Sequence, residues 1–161
     1  RALCQDQGPA RLTEWGLFLG GRPEADDVPS LERAGISAAV NLAPSSCRAA
    51  DPDWGSQYPE GFTVLEEEAE DDEDYPLLEV HLPSVVEFVE ARRREGRGVL
   101  VHCFAGVNRS AALCAAYLMR SERRHLSDAV RFLRSVRGPI IHNSGFMRQL
   151  VHMARREGLL A

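Results

Sequence analysis

The chain has 161 residues, of which 44% are hydrophobic and 27% are charged, and this is the size and composition of one ordinary globular domain. Its net charge of −5 argues against general binding to nucleic acid, which depends on many basic contacts to phosphate. No apolar run approaches the ~20 residues of a membrane-spanning helix, so we expect a single domain, residues 1–161, without a membrane segment.

The four cysteines show no C-x-x-C or metal-ligand spacing, and a chain of this length does not need disulfide bonds to fold. This favours a reducing compartment, and we expect a cytoplasmic protein, with the nucleus left open. The chain begins at Arg1 rather than Met, which leaves open an upstream targeting or lipid-anchoring segment. We expect neither a metal ion nor an organic cofactor.

The first half of the chain alternates short apolar runs with turn-rich segments. Ser30 is expected to cap a short helix over residues 31–34 that ends at Gly35. Residues 43–61 are rich in Pro, Ser, Asp and Gly and are predicted to form a loop. The predicted strands cover residues 15–21 (WGLFLGG), 38–42 (AAVNL) and 62–65 (FTVL).

An acidic segment comes next. Residues 66–74 are acidic at every position except Ala69, and we predict a solvated loop there. A helix should follow, with Pro83 in its first turn and Gly96 at its end. The apolar residues that recur at helical spacing in this segment are Leu78, Leu82, Val85, Val86 and Val89.

The rest of the chain contains one more strand and three helices. Residues 99–101 are a short apolar run that suits a central strand, and residues 111–119 suit a buried helix. Two more helices are predicted over residues 127–137 and 144–156. Strands that alternate with helices indicate an α/β fold with a mainly parallel sheet covered on both faces.

The residues that carry chemistry lie between the strand 99–101 and the helix 111–119. Cys103 follows the strand and Arg109 opens the helix, and ligands of open α/β sheets bind at this edge. Backbone N–H groups of such a turn can converge on one anion, and the helix N-terminus adds partial positive charge. We therefore predict a phosphate-binding loop made of Phe104, Ala105, Gly106, Val107, Asn108 and Arg109.

Each polar residue of this segment has a predicted role. The helix N-terminus favours the thiolate of Cys103, which makes this residue the candidate nucleophile. The planar guanidinium of Arg109 can hold two phosphate oxygens. Ser110 is expected to donate a hydrogen bond to the sulfur when it leaves, and His102 to orient the loop rather than to carry protons. A buried cysteine is often an inert hydrophobic residue, but its strand-to-helix setting favours the functional interpretation.

The segment HCFAGVNRSAAL, residues 102–113, resembles the signature loop of the dual-specificity protein phosphatases, a branch of the cysteine-dependent protein tyrosine phosphatase superfamily. Residues 15–42 and 139–150 resemble further segments of that family, so the similarity covers nearly the whole chain, as in atypical members that consist of the catalytic domain alone. It implies a twisted, mainly parallel sheet of about five strands flanked by helices. Asn41 and Asn143 match positions that brace the loop in the family.

The resemblance also implies an aspartic acid that protonates the leaving group. In the family this residue precedes a helix and is followed by two aliphatic residues at set distances. Counting back from residues 88–89 gives Asp72, with Leu78 and Leu82 as the aliphatic residues. An insertion in the acidic segment would move the acid to Asp71 or Asp74.

The implied activity is hydrolysis of phosphotyrosine and of phosphoserine or phosphothreonine in proteins, through a phosphocysteine intermediate. Phe104, Val107 and Asn108 are uncharged, whereas a polyanionic substrate would favour basic side chains, so we expect a phosphoprotein substrate. One alternative is a phosphatase of a non-protein phosphate, such as an RNA end, a glycan or a lipid. Another is a non-catalytic phosphate-binding module, which the presence of both Cys103 and Arg109 opposes. The sequence gives neither the particular substrate nor the oligomeric state.

Overall fold

A five-stranded sheet forms the centre of the protein. The computed structural model describes residues 8–161, so Arg1 and Cys4 lie outside it. The strands are Ala10–Arg11 (β1), Leu17–Gly20 (β2), Ile36–Asn41 (β3), Thr63–Glu66 (β4) and Gly98–His102 (β5). Their order is β1-β2-β5-β3-β4, and only β1 runs antiparallel to its neighbour among these five. The predicted mainly parallel sheet is confirmed.

Seven helices in the described part of the chain cover the two faces of this sheet. They are Arg22–Asp26 (α1), Val28–Arg33 (α2), Pro44–Ala50 (α3), Leu77–Arg94 (α4), Arg109–Glu122 (α5), Leu126–Arg137 (α6) and Ser144–Glu157 (α7). Among the helices of residues 8–161, none is long and apolar enough to cross a membrane.

Side chains of alternate strand residues enter two separate cores, as the two-residue period of a strand requires. Val99 and Val101 of β5 join a large core with α4, α5, α6 and α7. Leu100 points to the other face and packs with Leu31 and Trp54 in a smaller core beneath α1, α2 and α3. Because β5 is the middle strand and is buried on both faces, its end is a rigid base for a loop.

Two sequence predictions in the first half are wrong in detail. The short helix α2 begins before Ser30, and its N-cap is Asp27, whose carboxylate accepts the Ser30 N–H at 3.2 Å. The predicted loop of residues 43–61 contains the helix α3, in which Pro44 and Cys47 are buried. Two buried residues in one short helix give too little periodicity to be recognised in a segment rich in turn formers.

The helix after the acidic segment also starts earlier than predicted. It begins at Leu77, which is fully buried, and Pro83 therefore lies in the helix interior rather than in the first turn. Proline has no N–H to offer the carbonyl of Glu79. Because Glu79 is exposed, water can satisfy that carbonyl and the helix continues.

Candidate active site

Cys103 and Arg109 stand at the two ends of a tight loop in the middle of the sheet edge. Cys103 follows β5 directly, and Arg109 is the first residue of α5. The residues of α5 from Ser110 to Met119 are all buried, so this helix is held within the core along most of its length. The rigid strand and the rigid helix fix the loop between them.

The carbonyl groups of residues 104–107 all accept hydrogen bonds from outside the loop. The backbone N–H groups of Arg22 and Ile141 bind the first and last of these carbonyls, each at 2.8 Å. The guanidinium of Arg137 binds the two in between, at 3.1 and 3.3 Å. Because the N–H and C=O of a trans peptide point in opposite directions, the loop amides face inward. They form a cradle for an anion.

The sulfur of Cys103 lies at the base of this cradle. Its Sγ accepts the N–H of Gly106 at 3.2 Å and lies 3.2 Å from the hydroxyl of Ser110. Gly106 has φ 73°, and a Cβ there would come within 2.6 Å of the Gly20 backbone. Only glycine fits this position without strain. The Gly106 amide and the N-terminus of α5 direct positive potential toward the sulfur.

Arg109 reaches from the start of α5 toward the acidic segment. Its Nη1 donates to the carbonyl of Ala69 at 2.9 Å. Its Nε is buried and has no hydrogen-bond partner among residues 8–161. A buried guanidinium N–H without a partner is costly, and a bound oxyanion would satisfy it.

His102 supports the main chain at the nucleophile. Its ring is buried, and its Nδ1 donates to the carbonyl of Cys103 at 3.1 Å. Burial lowers the pKa of His102 from 6.5 to about 4. The imidazole is therefore neutral near pH 7, which suits an orienting role and not proton transfer.

The two predicted bracing asparagines have different surroundings. The Oδ1 of Asn143 caps α7 by accepting the Phe146 N–H at 3.1 Å, and its backbone N–H donates to Asn108 of the loop at 3.1 Å. Asn41 instead binds the next turn of its own segment, where its Oδ1 accepts the Ala43 N–H at 2.9 Å. Asn143 thus contacts the loop directly, whereas Asn41 supports the end of β3 beside it.

The acidic segment brings Asp71, not Asp72, to the loop. One carboxylate oxygen of Asp71 accepts from Asn108 and the other accepts from Asn143, both at 2.9 Å. Asp72 instead closes a local turn by accepting the N–H of Asp74 at 2.8 Å, and both of these residues are exposed. The residue that contacts the loop is therefore Asp71, one position before the residue obtained by counting back from the helix.

The contacts of Ala69 explain why Asp71, and not Asp72, reaches the loop. Ala69 is buried, its N–H donates to the carbonyl of Leu42 at 3.1 Å, and its own carbonyl accepts from Arg109. The segment was expected to be wholly solvated, but it is fastened to the sheet at this residue. In extended chain, residues two apart lie on one side, so Asp71 faces the loop together with Ala69. The one apolar residue in the acidic run was the signal for this contact.

The depressed pKa of His102 makes a testable contribution to stability. Below pH 6.5 the unfolded chain binds a proton that the folded protein takes up only near pH 4. Stability is thus lost as pH falls through this window, by about 3 kcal/mol from this residue. We expect the free energy of unfolding of His102→Asn, measured in urea, to depend less on pH between these values. Equal slopes for the wild type and His102→Asn would contradict the assignment.

Comparisons with known proteins agree with this geometry. Residues 17–156 match the family described as dual specificity phosphatase, catalytic domain. The chain is 34% identical over 152 residues to dual specificity protein phosphatase 2 of Homo sapiens, covering 94% of this chain and 45% of that protein. The chain thus spans about half the length of that relative.

Two solved structures have the same fold. Human DUSP28 superposes with a TM-score of 0.80 at 32% identity, covering 96% of this chain and 97% of that one. A mouse putative dual specificity phosphatase, crystallised as a complex with zinc tungstate, gives 0.78 at 30% identity and covers 99% and 96%. The match over residues 17–156 shows that the chain belongs to the family of dual specificity phosphatase catalytic domains.

Proposed function

We propose that the chain is a protein phosphatase that hydrolyses phosphotyrosine and phosphoserine or phosphothreonine through a phosphocysteine on Cys103. The observation that carries this proposal is the position of the Cys103 sulfur, between the Gly106 amide and the Ser110 hydroxyl, at the base of an inward-facing amide cradle. The cradle suits a tetrahedral oxyanion. The mouse relative crystallised with zinc tungstate supports this, since tungstate is such an anion.

The first step is attack by the thiolate of Cys103 on phosphorus. A sulfur–phosphorus bond forms while the bond to the substrate oxygen breaks, and the carboxylic acid of Asp71 gives its proton to that oxygen. Arg109 and the loop amides bind the three remaining oxygens, on which charge spreads in the transition state. The unpaired Nε of Arg109 is one of the donors available for this contact.

The second step regenerates the enzyme. Water attacks phosphorus, the carboxylate of Asp71 takes a proton from that water, and the sulfur–phosphorus bond breaks. The electron pair of that bond returns to sulfur as the thiolate of Cys103. The hydroxyl of Ser110, 3.2 Å from the sulfur, stabilises this leaving group by a hydrogen bond.

The rim of the loop favours a phosphoprotein as the substrate. The Asn108 side chain is occupied within the protein, donating to Asp71 and accepting from the backbone N–H groups of His142 and Asn143. The Phe104 side chain is 40% exposed and offers an apolar surface at the rim. The variable positions of the loop thus present no basic side chain for a polyanionic headgroup.

The nucleophile is tested with a small aryl phosphate. We expect Cys103→Ser to lower kcat for p-nitrophenyl phosphate at least about 10³-fold, because the covalent route is lost. Cys114→Ala, at a buried cysteine within α5, is the matched control and should keep most of the activity. Acid quenching followed by mass spectrometry should detect a phosphoryl group on Cys103 in the wild type. Undiminished hydrolysis by Cys103→Ser would refute the mechanism.

The assignment of the general acid is tested by two neighbouring substitutions. Asp71→Asn should lower kcat for phenyl phosphate about 10²–10⁴-fold, because the phenolate then leaves without a proton. Asp72→Asn, one residue along the same exposed segment, should change kcat only about threefold or less. The opposite order of effects would return the role to Asp72.

The class of substrate is tested by comparing phosphopeptides with non-protein phosphates. Phosphotyrosine, phosphoserine and phosphothreonine peptides should all be turned over, with kcat/KM at least about tenfold above that for a phosphoinositide or an RNA 5′-phosphate. Inorganic phosphate release measures every substrate in the same assay. A preference for either non-protein phosphate would show that the substrate class is not phosphoprotein.

A further inference from the structure

A buried histidine connects the two ends of the acidic segment. His81 lies in the second turn of α4 and is only 3% exposed. Its Nδ1 lies 2.8 Å from a carboxylate oxygen of Glu67, and its Nε2 lies 2.6 Å from the hydroxyl of Tyr75. We call Glu67, Tyr75 and His81 the histidine clasp. One imidazole ring thereby joins residues at the start and at the end of the loop between β4 and α4.

Each end of the clasp has further anchors. The second carboxylate oxygen of Glu67 accepts from the hydroxyl of Ser84 at 2.5 Å, and its backbone N–H donates to the carbonyl of Asn41 at 2.9 Å. The Tyr75 ring stacks on His81 with centroids 5.7 Å apart, and its carbonyl accepts from Gln149 of α7 at 2.7 Å. The ends of the loop are therefore fastened to β3, α4 and α7.

In sequence, Asp71 lies midway between Glu67 and Tyr75, the two residues that the clasp joins. Holding the ends of a loop together removes much of the conformational entropy that the residues between them would otherwise have. We propose that His81 is a positioning residue, which keeps the Asp71 carboxyl group over the phosphate-binding loop by closing the segment from Glu67 to Tyr75. The inference rests on the proposed function, because it concerns the general acid of that reaction.

The chemistry of the site favours this role over simple packing. His81 lies next to Leu77, Leu82 and Val85 on the buried face of α4, where an aliphatic residue would pack without any polar group to satisfy. Both ring nitrogens of His81 are used, and both partners belong to the segment that carries Asp71. The two hydrogen bonds that offset the cost of burying this polar group therefore both go to that segment.

The test compares substrates that differ in their need for an acid. His81→Leu removes both hydrogen bonds at similar volume, and kcat/KM for phenyl phosphate should fall at least about tenfold. For p-nitrophenyl phosphate, whose leaving group is a stabilised anion, we expect a loss of about threefold or less. His81→Asn places an amide N–H near the position of Nδ1, so that it should restore part of the lost activity. Equal losses for both substrates would overturn the proposal.

Two tyrosines of the chain provide a matched pair. Tyr75→Phe removes the hydroxyl that contacts His81, and Tyr117→Phe removes a hydroxyl that contacts Glu90 between α5 and α4. Both substitutions delete one hydrogen-bonded hydroxyl, but only Tyr75 belongs to the clasp. We expect only Tyr75→Phe to show the loss that is selective for phenyl phosphate, and the same selectivity in Tyr117→Phe would contradict the assignment.

A double mutant separates this proposal from the proposed function. In an Asp71→Asn background, His81→Leu should cause no further selective loss, because the acid that it positions is already absent. If Asp71→Asn shows no selectivity for phenyl phosphate, the assignment of the acid fails. If Asp71→Asn shows a loss that is selective for phenyl phosphate, and His81→Leu adds its full selective loss in that background, the assignment of the acid is supported. The positioning role of His81 then fails.

Hydrogen exchange gives a reading that does not depend on activity. Backbone amides of residues 67–75 should exchange at least about tenfold faster in His81→Leu than in the wild type, because the loop opens locally. Tyr117→Phe should leave exchange in that segment unchanged. Unaltered exchange of residues 67–75 in His81→Leu would overturn the proposal even for a protein without measurable turnover.

Discussion

The active site depends on the orientation of four peptide groups, those that contain the carbonyls of residues 104–107. Three residues outside the loop, Arg22, Arg137 and Ile141, hold these carbonyls outward, so the amides face into the loop. Arg137 binds two of these carbonyls, and its own charge is balanced by an ion pair with Glu24. The donors are thus in place before any phosphate arrives, and little reorganisation is needed when charge develops in the reaction.

A single amide side chain connects this cradle to the carboxylate of Asp71. Asn108 donates to Asp71 and accepts from the backbone N–H groups of His142 and Asn143. Three segments that are far apart in sequence therefore meet at one residue of the phosphate-binding loop. Its neutral amide suits this task, because an amide can donate and accept at once, whereas a basic side chain could only donate.

How far the sequence predicts this protein depends on whether a feature is local or long-range. The loop from Cys103 to Arg109 is one continuous segment between an apolar strand and an apolar helix. Its local sequence pattern is therefore sufficient to predict it. The position of Asp71 depends instead on backbone hydrogen bonds from Glu67 to Asn41 and from Ala69 to Leu42. No count along the chain contains these contacts, so counting back from α4 points to Asp72, whereas the structure brings Asp71 into contact with the loop. The fold was predictable because burial on both faces leaves a visible apolar pattern in the parallel strands β2, β3 and β5.

Arg109 links the two halves of the proposed reaction in space. Its Nη1 binds the carbonyl of Ala69, two residues before Asp71, while its Nε is buried and has no hydrogen-bond partner within residues 8–161. A phosphate held by this guanidinium would therefore lie against the same side chain that fixes the acidic segment. In the proposed reaction this contact would order Asp71 and the phosphate relative to one another, which is what simultaneous attack and proton transfer require. The histidine clasp holds the same segment at Glu67 and Tyr75, so Asp71 is constrained through its two ends as well as through Ala69.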